Sequence, residues 1–109
     1  MIRLVMNEEL LKDFRFLIDL IPVGKREAVS MNTLSKLTDL PTPEVRQQVL
    51  NARMKGVLIC SGDGGYYFPK DDEELKEYVR RRTQYIRTAS IALNPFKKTL
   101  KDQEEGDPG

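Results

Sequence analysis

Leu40-Pro41-Thr42-Pro43-Glu44-Val45-Arg46-Gln47-Gln48-Val49-Leu50-Asn51-Ala52-Arg53-Met54-Lys55-Gly56 is the stretch whose reading decides the fold. Thr42 suits a helix N-cap, Pro43 the first helical position, and Glu44 the positive end of the helix dipole. Val45, Val49 and Ala52 recur at i, i+4 and i+7, an apolar stripe on one helical face. Gly56 stands where a left-handed residue commonly ends a helix. Val57-Leu58-Ile59-Cys60 then reads as a short buried strand and Ser61-Gly62-Asp63-Gly64-Gly65 as a turn. Tyr66-Tyr67-Phe68 reads as a second strand closed by Pro69. The stretch predicts a helix followed at once by a β-hairpin.

Upstream, Ser30 is a natural cap for a second helix that presents Leu34 and Leu37 inward and stops near Asp39-Leu40-Pro41. Before it, Asn7 caps a first helix in which Leu10, Phe14, Leu17 and Ile21 fall at helical spacing, and Pro22 and Gly24 end it. Ala28-Val29-Ser30 reads as a brief strand. Downstream, Asp71 opens a long helix, with Glu74 three residues on as a capping-box partner. That helix runs to about Leu93, where Asn94-Pro95 breaks or restarts it. The expected fold is α+β and mostly helical. Residues 1–70 form a domain of three helices and a hairpin, 71–101 a C-terminal helical element, and 102–109 a disordered acidic tail.

Composition narrows the chemistry. The chain has 109 residues, 39% hydrophobic and 32% charged, enough for one ordinary core. No apolar run approaches the roughly 18 residues of a membrane span. Met1-Ile2-Arg3-Leu4-Val5-Met6 is too short and too interrupted for a signal peptide, so the expectation is a cytoplasmic protein with no membrane partner. Cys60 is the single cysteine, which allows no internal disulfide and fits a reducing compartment. The absence of histidine removes the commonest general base and metal ligand. No cofactor, metal site or catalytic residue is expected, and the sequence does not read as an enzyme. Gly62-Asp63-Gly64-Gly65 lacks the lysine and the following helix of a nucleotide loop. The net charge of +1 favours no partner by itself.

Two short helices joined by a tight turn and followed by a hairpin is the winged helix-turn-helix order. In such an arrangement one face of the third helix packs inward and the opposite face enters the DNA major groove. With Val45, Val49 and Ala52 inward, the outer face carries Pro43, Gln47, Leu50 and Met54, flanked by Arg46 and Asn51. Arg suits guanine, Asn and Gln suit adenine, and an apolar tip suits a thymine methyl. Asn32 and Thr42, near the starts of the second and third helices, join the candidate DNA contacts, as do Ser61 and the Tyr66 hydroxyl on the hairpin. The hairpin tip bears Asp63 and no cation.

Residues Leu20 to Ser30, Asp39 to Gly56, and Ile59-Cys60-Ser61 to Gly65-Tyr66-Tyr67-Phe68-Pro69 together resemble small winged-helix proteins of Gram-positive bacterial phages and prophages. The resemblance spans about residues 10 to 93. It implies double-stranded DNA as partner and a role in phage or mobile-element gene regulation or replication. Ala52 departs from it, standing where such helices often have a larger aliphatic residue, as does the acidic hairpin tip. The alternative is a winged-helix module that docks another protein through Leu50, Met54 and the tyrosines without binding DNA.

The long helix adds a partner of its own. Leu75, Val79, Arg82, Ile86, Ala89 and Leu93, followed by Phe96 and Leu100, step by four and three, the heptad spacing of a two-helix seam. The sequence therefore predicts a homodimer through this element, the alternative being a helix that folds back on the first. Arg80, Arg81, Arg82 and Arg87 cannot all face one way on one helix; they read as a solvated face balanced by the nearby acids Asp71 to Glu74 and Glu77, the alternative being that Arg80 or Arg81 touches DNA phosphates.

Overall fold

The computed structural model describes residues 8–106, and the expected cap Asn7 and residues 107–109 of the expected tail lie outside that range. The chain divides into two compact units, 1–78 and 79–109, with the boundary inside the long helix. Its elements are α1 (Glu8–Ile18), a 3-10 turn (Lys25–Glu27), α2 (Met31–Thr38), α3 (Thr42–Met54), β1 (Cys60–Gly62), β2 (Gly65–Tyr67), α4 (Asp72–Ala92) and α5 (Asn94–Gly106). This is an α+β chain, mostly helical, with one small antiparallel sheet. Among the described residues no helix is long and apolar enough to cross a membrane.

The first unit holds the core. Phe14, Leu17 and Ile21 from α1 and the turn after it meet Leu34 of α2, Val45, Val49 and Ala52 of α3, and Val57, Ile59, Tyr66 and Phe68 of the hairpin region. Burying a side chain of this size contributes about 1.5–3 kcal/mol. α1 is kinked at Phe14 (φ −119°, ψ 15°).

The second helix starts as expected, with the Ser30 hydroxyl accepting from the Thr33 amide at 3.1 Å. Leu37 does not point inward and is 57% exposed. The buried side of this eight-residue helix runs through Met31, Leu34 and Thr38 instead, and the Thr38 hydroxyl turns back onto the Leu34 carbonyl. Asp39 ends it in the left-handed region, at φ 58°.

The third helix starts one residue earlier than expected. Pro41 takes the cap position, its carbonyl accepting from the Val45 amide, and Thr42 is the first helical residue, with no side-chain cap bond. Pro41 has its φ already near the helical value and loses nothing by lacking an amide proton there. Gly56 has φ +100°, as its position after the helix predicted.

The hairpin is shifted along the chain. The register pairs Cys60 with Tyr67, Ser61 with Tyr66 and Gly62 with Gly65, leaving Asp63-Gly64 as a two-residue turn. Val57 and Ile59 alternate inward like a strand but are not part of one. The ladder stops there because the Phe68 amide and carbonyl are committed elsewhere, to Pro22 and Gly24, and Pro69 has no amide to donate. The expected brief strand at 28–30 is a single bridge, Val29 to Tyr66. Gly65 lies so close to that segment that a Cβ would sit 2.0 Å from the Val29 carbonyl oxygen.

α4 is capped by Asp71, whose carboxylate accepts from the Glu74 amide at 2.9 Å. The Glu74 carboxylate does not complete a reciprocal box. It accepts from the Lys25 and Lys70 amides, while the Lys25 ammonium pairs with Glu77 at 2.7 Å.

In the second unit α4 ends at Ala92, and α5 restarts at Asn94 with the Lys97 amide donating to the Leu93 carbonyl. The expected disorder from residue 102 is not what the structure has, because α5 continues to Gly106.

Candidate functional site

α3 is the element on which most of the predicted site residues fall. Its buried stripe, Val45, Val49 and Ala52, fixes which way the rest face. At about 100° per residue, Arg46, Leu50, Pro43, Met54 and Gln47 follow one another around the opposite side. All five are exposed, Met54 at 77%. Asn51 is half-buried at the edge and accepts a hydrogen bond from the Gln47 amide nitrogen at 2.9 Å. The two carboxamides thus form a paired unit one turn apart. Thr42 is half-buried at the start of the same helix, and Asn32 is exposed at the second position of α2.

The two hairpin candidates are drawn inward. Tyr66 is 8% exposed and belongs to the core. Burial pushes its phenol above the usual tyrosine range, with Arg53 and then Arg46 opposing and Tyr78 adding slightly. Ser61 is half-buried, and its hydroxyl accepts from the Arg53 guanidinium at 3.2 Å.

Arg53 is the residue that sequence reasoning missed. Its Nε donates to the Ile59 carbonyl at 2.8 Å, and its guanidinium lies 5.9 Å from the centre of the Tyr78 ring. One side chain therefore fastens the end of α3 to the hairpin and faces the first turns of α4. The available signal was its spacing: Arg53 lies seven residues after Arg46, on the flank of the stripe toward the hairpin.

Between the start of α2 and the hairpin runs a shallow groove of about 240 Å³, bordered by Ser30, Met31, Ser61, Asp63, Gly64 and Tyr66 among others. Its lining is more apolar than polar, with Met31 and Tyr66 beside the glycines, and Asp63 at its rim opposes anions. Among the described residues no cluster of His, Cys, Asp or Glu is placed to hold a metal ion.

Of the predicted set, then, Arg46, Gln47, Leu50 and Asn51 share one side of α3, with Thr42 at its start, while Asn32 stands apart on α2. Compared with family models, curated proteins and solved structures, the chain finds no match in any of the three.

Proposed function

We propose that the chain is a winged helix-turn-helix protein that binds double-stranded DNA sequence-specifically, with α3 in the major groove, and that it is not an enzyme. The observation that supports this best is the outer face of α3. It offers a guanidinium, a carboxamide pair and a half-exposed leucine side by side, opposite a fully buried stripe. Arg46 supplies paired donors for a guanine edge. Gln47 with Asn51 supplies donors and acceptors for adenine, and Leu50 a surface for a thymine methyl. The amides at the starts of α2 and α3, with Asn32 and Thr42, suit flanking phosphates. Tyr66 and Ser61 act from behind, Tyr66 as packing and Ser61 through Arg53. The phage or mobile-element setting and the cytoplasmic location rest on the sequence alone.

A second reading is favoured by one observation. Leu50 and Met54 are 48% and 77% exposed, with Leu37 at 57%, and apolar residues of this kind suit a protein partner, whereas Tyr66 and Tyr67 are buried and take no part. Salt separates the two readings. DNA binding through phosphate contacts weakens steeply as salt rises, whereas apolar docking does not.

The test is selection of bound duplexes from a random pool at low salt, followed by titration of the selected site. Arg46→Ala and Gln47→Ala each lose about 1–3 kcal/mol of specific affinity with folding intact. Failure to enrich any duplex, or wild-type affinity in both variants, would falsify the DNA reading.

A further inference from the structure

Every side chain from Thr83 to Glu104 is exposed. α4 has no buried residue along its length, and α5 presents its apolar side, Phe96 and Leu100, to solvent. Helices of this length with an apolar stripe gain most of their stability from packing that stripe against something.

The stripe has a particular form. On α4, Val79, Ile86 and Leu93 repeat every seven residues, with Arg82 and Ala89 between them, the two core positions of a helix pair. The positions that flank such a seam are Tyr78, Thr83, Tyr85, Ser90 and Ala92. None of them is charged, so two copies meet without like-charge repulsion at the seam edges. Arg80, Arg81 and Arg87 fall on the outward positions of the same repeat. Arg82 is the one cation in the seam. Its guanidinium lies 5.3 Å from the centre of the Tyr85 ring, which carries the charge toward the flank and leaves its methylene stem along the stripe.

On α5, Pro95, Phe96, Thr99, Leu100 and Gln103 border an open groove of about 550 Å³. Beyond the Asn94-Pro95 restart, α5 thus carries an apolar face of its own.

We propose that a second copy of this chain covers this surface, pairing through Val79, Arg82, Ile86, Ala89 and Leu93 of α4 and the Phe96–Leu100 face of α5. The amount of surface fits. Val79, Tyr85, Ile86, Leu93, Phe96 and Leu100 are each more than half exposed. At roughly 100 Å² of open surface per side chain, a two-fold pair removes on the order of 1,200 Å² of it, the lower edge of a stable specific interface. The proposal is independent of whether the first unit binds DNA.

Sedimentation equilibrium on the full chain at micromolar concentration tests it. The expected mass is twice the 12.6 kDa of one chain. Ile86→Asp and Phe96→Asp give monomers whose first unit still unfolds cooperatively in urea, and Thr88→Asp, on the outward side of α4, remains a dimer. Should the aspartate variants not fold, Ile86→Ala and Leu93→Ala serve instead, each raising the dimer dissociation constant at least about tenfold. A monomeric wild-type chain overturns the proposal, including one that binds vesicles of anionic lipid through the basic side of the helix. So does a dimer that Thr88→Asp breaks as readily as Ile86→Asp, or one that no seam substitution weakens.

Discussion

Tyr66 shows how a residue predicted to touch a ligand came to serve the core. Its amide and carbonyl both bond Val29, and its side chain packs in the core with the helices. A hydroxyl on an aromatic ring says nothing about this in sequence, because strand alternation is known only once the register is known. The register turned on Gly65 and on the backbone bonds of Phe68, neither visible as a pattern. The buried phenol has a consequence for pH. Below its ordinary pKa of about 10 the ring is neutral in the folded and the unfolded chain alike, and its contribution to stability is complete. Above that value the unfolded chain ionises while burial holds the folded ring neutral. Stability therefore falls as pH rises from about 10 through the raised value. Tyr66→Phe should make the fall in urea-unfolding free energy over that range shallower. An unchanged slope would mean that the ring is not held neutral by burial. Leu37 makes the opposite point about legibility. Leu34 and Leu37 fit one helical face as well as Met31, Leu34 and Thr38 do, and only the partner helices choose between them.

At the scale of elements, α3 was legible because three signals agreed: an apolar stripe, a proline near its start and a glycine after its end. Its first residue was displaced by one because two prolines compete for the start, and Pro41 satisfies the cap position without a side-chain bond. The strand expected at 57–60 had the right alternation, but of its residues only Cys60 enters the ladder, since pairing depends on what lies opposite and not on the segment itself. α5 continues past residue 102 because Glu, Gln, Lys and Leu are good helix formers even where acidic composition reads as disorder. What joins these elements is Arg53, with its bonds to the Ile59 carbonyl and the Ser61 hydroxyl and its position beside Tyr78. Hydrogen bonds from a charged donor are worth about 1.5–3 kcal/mol when half-buried groups would otherwise be left unpaired. Arg53→Ala should lower stability by about that much in urea unfolding and speed amide exchange in Ser61 to Gly65. Arg53→Lys recovers only part of it, because one ammonium cannot reproduce two directed bonds and a flat stacked group. A loss below about 0.5 kcal/mol would place Arg53 among ordinary surface residues.

For the whole molecule, the charges sort by element more than the net +1 suggests. Between Tyr78 and Leu93 the chain has Arg80, Arg81, Arg82 and Arg87 and no acid, whereas the first turn of α4 holds Asp72, Glu73 and Glu74. A pairing of α4 helices that buried these arginines would be self-defeating, and the seam proposed above leaves all but Arg82 outward. Such a pair brings two α3 faces into one particle related by a two-fold axis. Duplexes recovered by selection should then be two-fold symmetric, with half-sites centred about 10 base pairs, or a multiple of that, apart. Joining two binding units also changes affinity without adding any contact to DNA, because the second unit binds at the effective concentration set by the first. Gains of about 10²–10⁴ are usual. Ile86→Asp should thus lose most of that factor on the full symmetric site and lose nothing on an isolated half-site, where only one α3 is in use. Arg46→Ala should weaken both. Gel-shift titration of the two variants on the two duplexes separates the ideas. If Ile86→Asp binds the full site as tightly as the unaltered chain, the seam has no part in recognition. If it weakens the half-site too, α4 acts on the first unit directly and not through a second copy.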